Sequence, residues 1–263
     1  AQTDPAGLWP TVTEGVTVVV MTTTATKPRT RRGPGWVPNQ HGAWAMIAAP
    51  LLVGILGGGF AWSQIPLTAF WFVGYFAFFA ISLWLKANRR PKWFPPVRAY
   101  SIAATLLGAL TLLLDPGLIT WAPWFVVPLG VGLWAASRRR DRDLLAGIAT
   151  VGGACMMTVV AYAAGFGSAP ERAWLLALVQ LLYFAGTVFY VKSVIRERGN
   201  RTFLWISMGY HVAAAVVAAV LAWPLGLVFG LLAVRSALIP RLGWSPKQVG
   251  LLEIPATVLT LTW

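Results

Sequence analysis

Side chains able to do chemistry are scarce in this 263-residue chain, and most stand at the ends of apolar runs. The run Pro38-Asn39-Gln40-His41-Gly42 precedes the first of these. Asn39, Gln40 and His41 can cap a helix start and satisfy its orphan N–H groups. They can equally hydrogen-bond a headgroup or phosphate held at that helix end, and both readings stand. A second group is Lys86, Asn88 and Arg89; a third is Tyr190, Lys192 and Arg196. If their helices run on past the apolar part, Lys86 shares a face with Arg89 or Arg90, and Lys192 with Arg196. Tyr190, Ser193 and Glu197 would share another. Such surfaces suit phosphate oxygens. The plainer account of each residue is a basic side chain touching lipid headgroups.

Two further groups lie inside apolar runs. His211, in SMGYHVAAA, is read as a neutral packing histidine or a ligand-binding one. With no His or carboxylate three or four positions on, a local metal site is not expected. Glu253, in PKQVGLLEIP, falls about one turn into the last run. A structural ion pair is its favoured reading, with Lys247, Arg241 or a basic group of another cluster as partner. Asp141 and Asp143 form an Asp-x-Asp within a run of arginines.

The elements that position these groups are membrane spans. The chain is 57% hydrophobic and 11% charged, whereas a soluble domain is about one quarter charged. Nine spans are predicted, at roughly 42–58, 67–85, 99–114, 121–136, 144–166, 173–192, 202–222, 224–239 and 248–262. Tryptophans gather near span ends on both sides, as in an interfacial aromatic belt. Of the 21 basic residues, twenty fall in five clusters: Lys27–Arg32, Lys86–Arg98, Arg138–Arg142, Lys192–Arg201 and Arg235–Lys247. With the N-terminal tail in the cytosol, all five lie on one side and Arg172 alone lies on the other. That asymmetry predicts an N-in, C-out topology. Pro50, Pro123 and Pro128 should kink or break their helices. Gly54, Gly57 and Gly58, Gly152 and Gly153, and the Gly226-xxx-Gly230 pair should let helices approach closely.

Composition also excludes. A net charge of +13 suggests nucleic acid in a soluble chain, but here the charge flanks apolar spans and suits anionic headgroups, so no nucleic-acid partner is expected. A single cysteine, Cys155, rules out an internal disulfide. No zinc, haem or CxxC pattern is present, and no metal or other cofactor is indicated. Residues 1–35 read as a flexible tail, in which Met21 looks like a natural start and 1–20 like an extension of it.

PNQHGAWAM at the first span, YVKSVIRERGN after the sixth, His211 and the closing PKQVGLLE resemble the YwiC-like bacterial membrane proteins over residues 36–263. That resemblance carries identity more than mechanism. The arrangement of nine helices, with polar sites after the second and sixth spans, is similar to the UbiA prenyltransferase superfamily. There, those two places hold aspartate-rich motifs that bind magnesium and a prenyl diphosphate. Here they hold LKANRRPKW and VKSVIRERGNR, with Glu197 the one acid. A magnesium-diphosphate site needs oxygen ligands. What this departure leaves is an anion pocket built from Lys86, Asn88, Arg89, Lys192 and Arg196 in place of metal.

The reading is an all-α, polytopic transmembrane helical bundle, UbiA-like and single-domain over 36–263, in a bacterial plasma (inner) membrane. It is expected to bind a phosphorylated or isoprenoid lipid at its cytosolic face, with Asn39, Gln40 and His41 at the pocket. Any reaction would be a lipid transfer without aspartate-bound magnesium. An accessory or assembly subunit of a larger membrane complex, respiratory for example, is the alternative. A small-solute transporter is the third reading. Membrane lipids and other membrane proteins are the expected partners.

Overall fold

The computed structural model describes residues 35–38, 41–242, 244 and 246–261, and all regular structure among them is helical. Nine α-helices follow one another: α1 (His41–Gly58), α2 (Gln64–Lys86), α3 (Phe94–Leu114), α4 (Ala122–Ser137), α5 (Leu144–Phe166), α6 (Glu171–Ile195), α7 (Arg201–Leu221), α8 (Trp223–Leu242) and α9 (Pro246–Leu261). Short 3-10 turns, Pro91–Trp93 and Pro116–Trp121, lead into α3 and α4. The helices α2 to α8, with those turns, are long and apolar enough to cross a membrane; α1 and α9 are shorter. The chain is a multi-pass membrane protein.

The nine expected spans match the nine helices to within a few residues. The third begins at Phe94 rather than 99, because Pro95 and Pro96 occupy its first turn. Helical N–H groups have no partner there, so proline costs nothing. The sixth begins at Glu171, whose charge complements the helix N-terminus.

Helix α5 lies at the centre and packs against α1, α4 and α6. Val151, Val159 and Ala161 on it are wholly buried. Lipid is as apolar as leucine, so close backbone approach and dispersion must hold such helices together. The α1–α5 contact is built for that: a Cβ at Gly54 would overlap the Thr158 carbonyl, and one at Gly58 the Tyr162 backbone. Gly153 makes similar room for Pro128 of α4. Helices α2 and α3 form one outer pair, α7 and α8 another. Leu106 and Leu113 on α3, and Val216 and Val220 on α7, stay exposed as lipid-facing residues do.

The basic loops meet at one end of the bundle. Arg139 Nη2 donates to the Lys86 carbonyl at 3.2 Å, Arg196 Nη1 to that of Arg142 at 3.2 Å, and Arg198 Nη2 to that of Trp244 at 3.0 Å. Helices α2 and α4 also end alike. The N–H of Arg89 reaches the Trp84 carbonyl and that of Arg140 reaches Ala135, through left-handed Asn88 (φ 54°) and Arg139 (φ 58°). This six-to-one closure normally uses glycine. Its cost is carried here by asparagine and arginine.

Candidate functional site

At the basic end, a cavity of about 690 Å³ opens among α1, α2, α4 and α5 and the turns that join them. Lys86, at the last position of α2, lines it together with Asp141, Arg142 and Arg196. Lys86 Nζ donates to Asp141 Oδ2 at 2.8 Å, and the two side chains remain 27% and 29% exposed. Such a half-wet pair contributes at most about 1 kcal/mol to stability. Asp143 is engaged elsewhere, by Arg140 Nε at 2.6 Å. Ser82, 8% exposed, lines the same wall, and its Oγ has no partner among the described residues; the same is true of the Tyr75 hydroxyl. Buried polar atoms are nearly always hydrogen-bonded, and these two, sealed from the free space of the cavity, have no such bond among the described residues.

A second cavity, of about 400 Å³, continues toward the middle of the bundle. Its lining is almost wholly apolar, with Phe70, Trp71, Phe125 and Met157 prominent. Met46, Tyr75, Phe78 and Thr150 line both cavities, so the two adjoin. Together they make a charged mouth on a greasy interior.

The structure gathers only part of the sequence-predicted set here. Lys86 and Arg196 line the polar cavity. Asn88 and Arg89 do not, because α2 stops at Lys86 and the backbone turns left-handed; Arg89 instead stands over the Trp84 ring. The expected Lys86–Arg89 helical face therefore does not form. Lys192 turns away, its ammonium 5.4 Å from the Phe203 ring centre. Glu197 lies beyond the end of α6 and accepts from Asn200 Nδ2 at 3.0 Å, so it shares no helical face with Tyr190. Asn39, Gln40 and the His41 side chain lie outside the described residues, and His41 opens α1. His211 is buried, with Nδ1 2.7 Å from the Ser207 carbonyl and Nε2 without a partner among the described residues.

Tyr190 and Glu253 belong to a separate polar cluster joining α6, α8 and α9. Glu253 lies seven residues into α9, deeper than the single turn expected. Its partner is Arg235, whose Nη1 is 2.6 Å from Glu253 Oε1; the side chains are 9% and 16% exposed. Tyr183 and Thr187 donate to the other carboxylate oxygen, at 3.1 and 3.3 Å. The Arg235 guanidinium lies 4.2 Å over the Tyr190 ring. Arg235 thus leaves the fifth basic cluster: it is a charge inside α8, seven residues before the helix ends. Among the described residues, no three His, Cys, Asp or Glu side chains gather as a metal site would need.

Sequence reasoning passed over Ser82, Tyr75, Arg142 and Arg235 as site residues. Arg235 carried a visible signal, since it interrupts an apolar run before Pro240. Ser82 carried none, because a serine in a lipid-facing helix reads the same.

The model of the YwiC-like protein family matches residues 37–162. A Bacillus subtilis protein, YwiC, is 33% identical over 221 residues, covering 83% of this chain and 92% of that protein. A Haemophilus influenzae protein is 26% identical over 225 residues, 85% of this chain and 94% of its own length. No solved structure matches the chain.

Proposed function

The chain belongs to the YwiC-like protein family, and we propose that it holds a membrane amphiphile with an anionic, phosphorylated headgroup in the paired cavities. The headgroup would lie against Lys86, Arg142 and Arg196, and its hydrocarbon among Phe70, Trp71 and Phe125. One observation carries the reading: a cationic cavity adjoins an apolar one, with four lining residues in common. A soluble anion has no use for the second chamber, and a plain hydrocarbon none for the first. Ligand sites of this kind, mostly apolar with a few convergent polar groups, commonly enclose roughly 300–1,000 Å³.

The placement in a bacterial plasma (inner) membrane, with the basic end in the cytosol, is part of the proposal. It rests on the gathering of the basic loops and on the bacterial relatives. So does a UbiA-like arrangement, whose support is that the residues closing α2 and α6, Lys86 and Arg196, share one cavity. Lipids retained by the purified full-length protein, identified by mass spectrometry, test the function. Enrichment of a phosphorylated lipid over the host membrane is expected, and its loss in a Lys86→Met, Arg196→Met double variant. Retained lipid matching the bulk membrane in both proteins would overturn the reading.

A further inference from the structure

We infer that Asp141 is the cavity's resident counter-ion, which an anionic headgroup must displace from Lys86, so that it holds down the affinity of every such headgroup and of a phosphomonoester most. The inference rests on the amphiphile reading above and deepens it.

Among the described residues, the cavity wall carries three cations, Lys86, Arg142 and Arg196, and one anion, Asp141. The anion is tied to Lys86, the cation anchored nearest to the membrane part, at 2.8 Å. Asp141 rides the short turn between α4 and α5 and is therefore always at hand. A headgroup bearing one charge that replaces it at Lys86 gains one ion pair and breaks one, and frees a carboxylate beside itself. A phosphomonoester brings close to two charges and three acceptor oxygens at neutral pH. It can take Lys86 and still satisfy an arginine, which the carboxylate cannot do for it. The wall with Asp141 in place retains two net positive charges, matched by a dianion and left half-met by a monoanion.

The pair is also exchangeable. Both side chains keep more than a quarter of their surface exposed, and ion pairs in contact with water are weak. Asp143 does not take over the role, since Arg140 holds it outside the cavity wall.

Full-length protein in mild detergent, titrated with phosphatidic acid and phosphatidylglycerol of identical acyl chains and read by native mass spectrometry, tests this at a pH above the second phosphate ionisation. Wild type should favour phosphatidic acid about tenfold. Asp141→Asn should raise binding of both, phosphatidic acid by about tenfold and phosphatidylglycerol by about threefold. Asp141→Glu, which keeps the charge, should bind both as wild type does and guards against a folding defect. Unchanged binding of both lipids in Asp141→Asn, or a ratio that narrows there, would overturn the counter-ion role and leave the amphiphile reading intact. Binding of both lipids indifferent to Lys86→Met and Arg196→Met overturns that reading itself. Inorganic phosphate is the third probe: if it displaces phosphatidic acid at equal concentration, the site takes phosphate and not a lipid.

Discussion

Arg235 Nη1 and Glu253 Oε1 stand 2.6 Å apart, each seven residues inside its helix and each largely sealed from solvent. Among the described residues, α9 packs only against α1, α6 and α8. The ion pair and the Tyr183 and Thr187 hydrogen bonds are therefore a major part of what holds the last helix to the bundle. A buried pair is not expected to stabilise much over an apolar isostere, but breaking it on one side strands a charge.

That asymmetry gives the first prediction. Arg235→Met or Glu253→Gln alone should destabilise by about 3–5 kcal/mol, and the double variant should recover most of the loss. Thermal melts in detergent measure both. Equal losses in single and double variants would mean that the pair is not coupled as described.

Tyr183→Phe should cost about 1.5–3 kcal/mol, because the lost hydroxyl donates to a charged carboxylate. It also removes the 2.8 Å contact with Thr257. Amide exchange should quicken in residues 246–261 first. Quickening spread evenly over the bundle would assign Tyr183 to general packing.

The α1–α5 contact predicts a sharp positional effect. Gly58→Ala should destabilise by about 1–3 kcal/mol through overpacking against Tyr162. Gly152→Ala, on the open side of α5, should be neutral or stabilising, since alanine is the better helix former. Similar melting shifts for both would remove the close-approach argument.

Gln64 is a polar staple at the opposite end. Its Nε2 donates to Gly59 and Ala161 carbonyls, and its Oε1 accepts from the Ala61 N–H, all at 2.9 Å. Gln64→Leu removes these three bonds, one of them fully buried, and should cost about 1–3 kcal/mol. A melting temperature within experimental error of wild type would show that the backbone groups find other partners.

Hydropathy and the basic clusters made the nine helices legible because both signals are local: an apolar run must end where lysines and arginines begin. The candidate site was legible in part, for a reason that concerns reach. Lys86 and Arg196 were readable as span-end cations, and they do share a cavity. Lys192, four residues before Arg196, was not distinguishable from it, yet it turns to Phe203. Asn88 and Arg89 were grouped with Lys86 on the condition that α2 continues, whereas the chain closes α2 with a left-handed asparagine. Arg235 was absorbed into a loop cluster because nothing in its neighbourhood reveals that Glu253, eighteen residues on, bonds it from another helix. The cavities themselves depend on helices far apart in sequence, which no local pattern records.

One amphiphile is proposed to span the charged and the apolar chamber. The most direct measurement is photocrosslinking with phosphatidic acid bearing a diazirine in its acyl chain, followed by peptide mapping of the full-length protein. Adducts should concentrate on Phe70, Trp71, Phe125 and Met157, and fall away in the Lys86→Met, Arg196→Met variant. Adducts confined to lipid-facing positions such as Leu106, Leu113, Val126 and Val220, and unchanged in that variant, would contradict it.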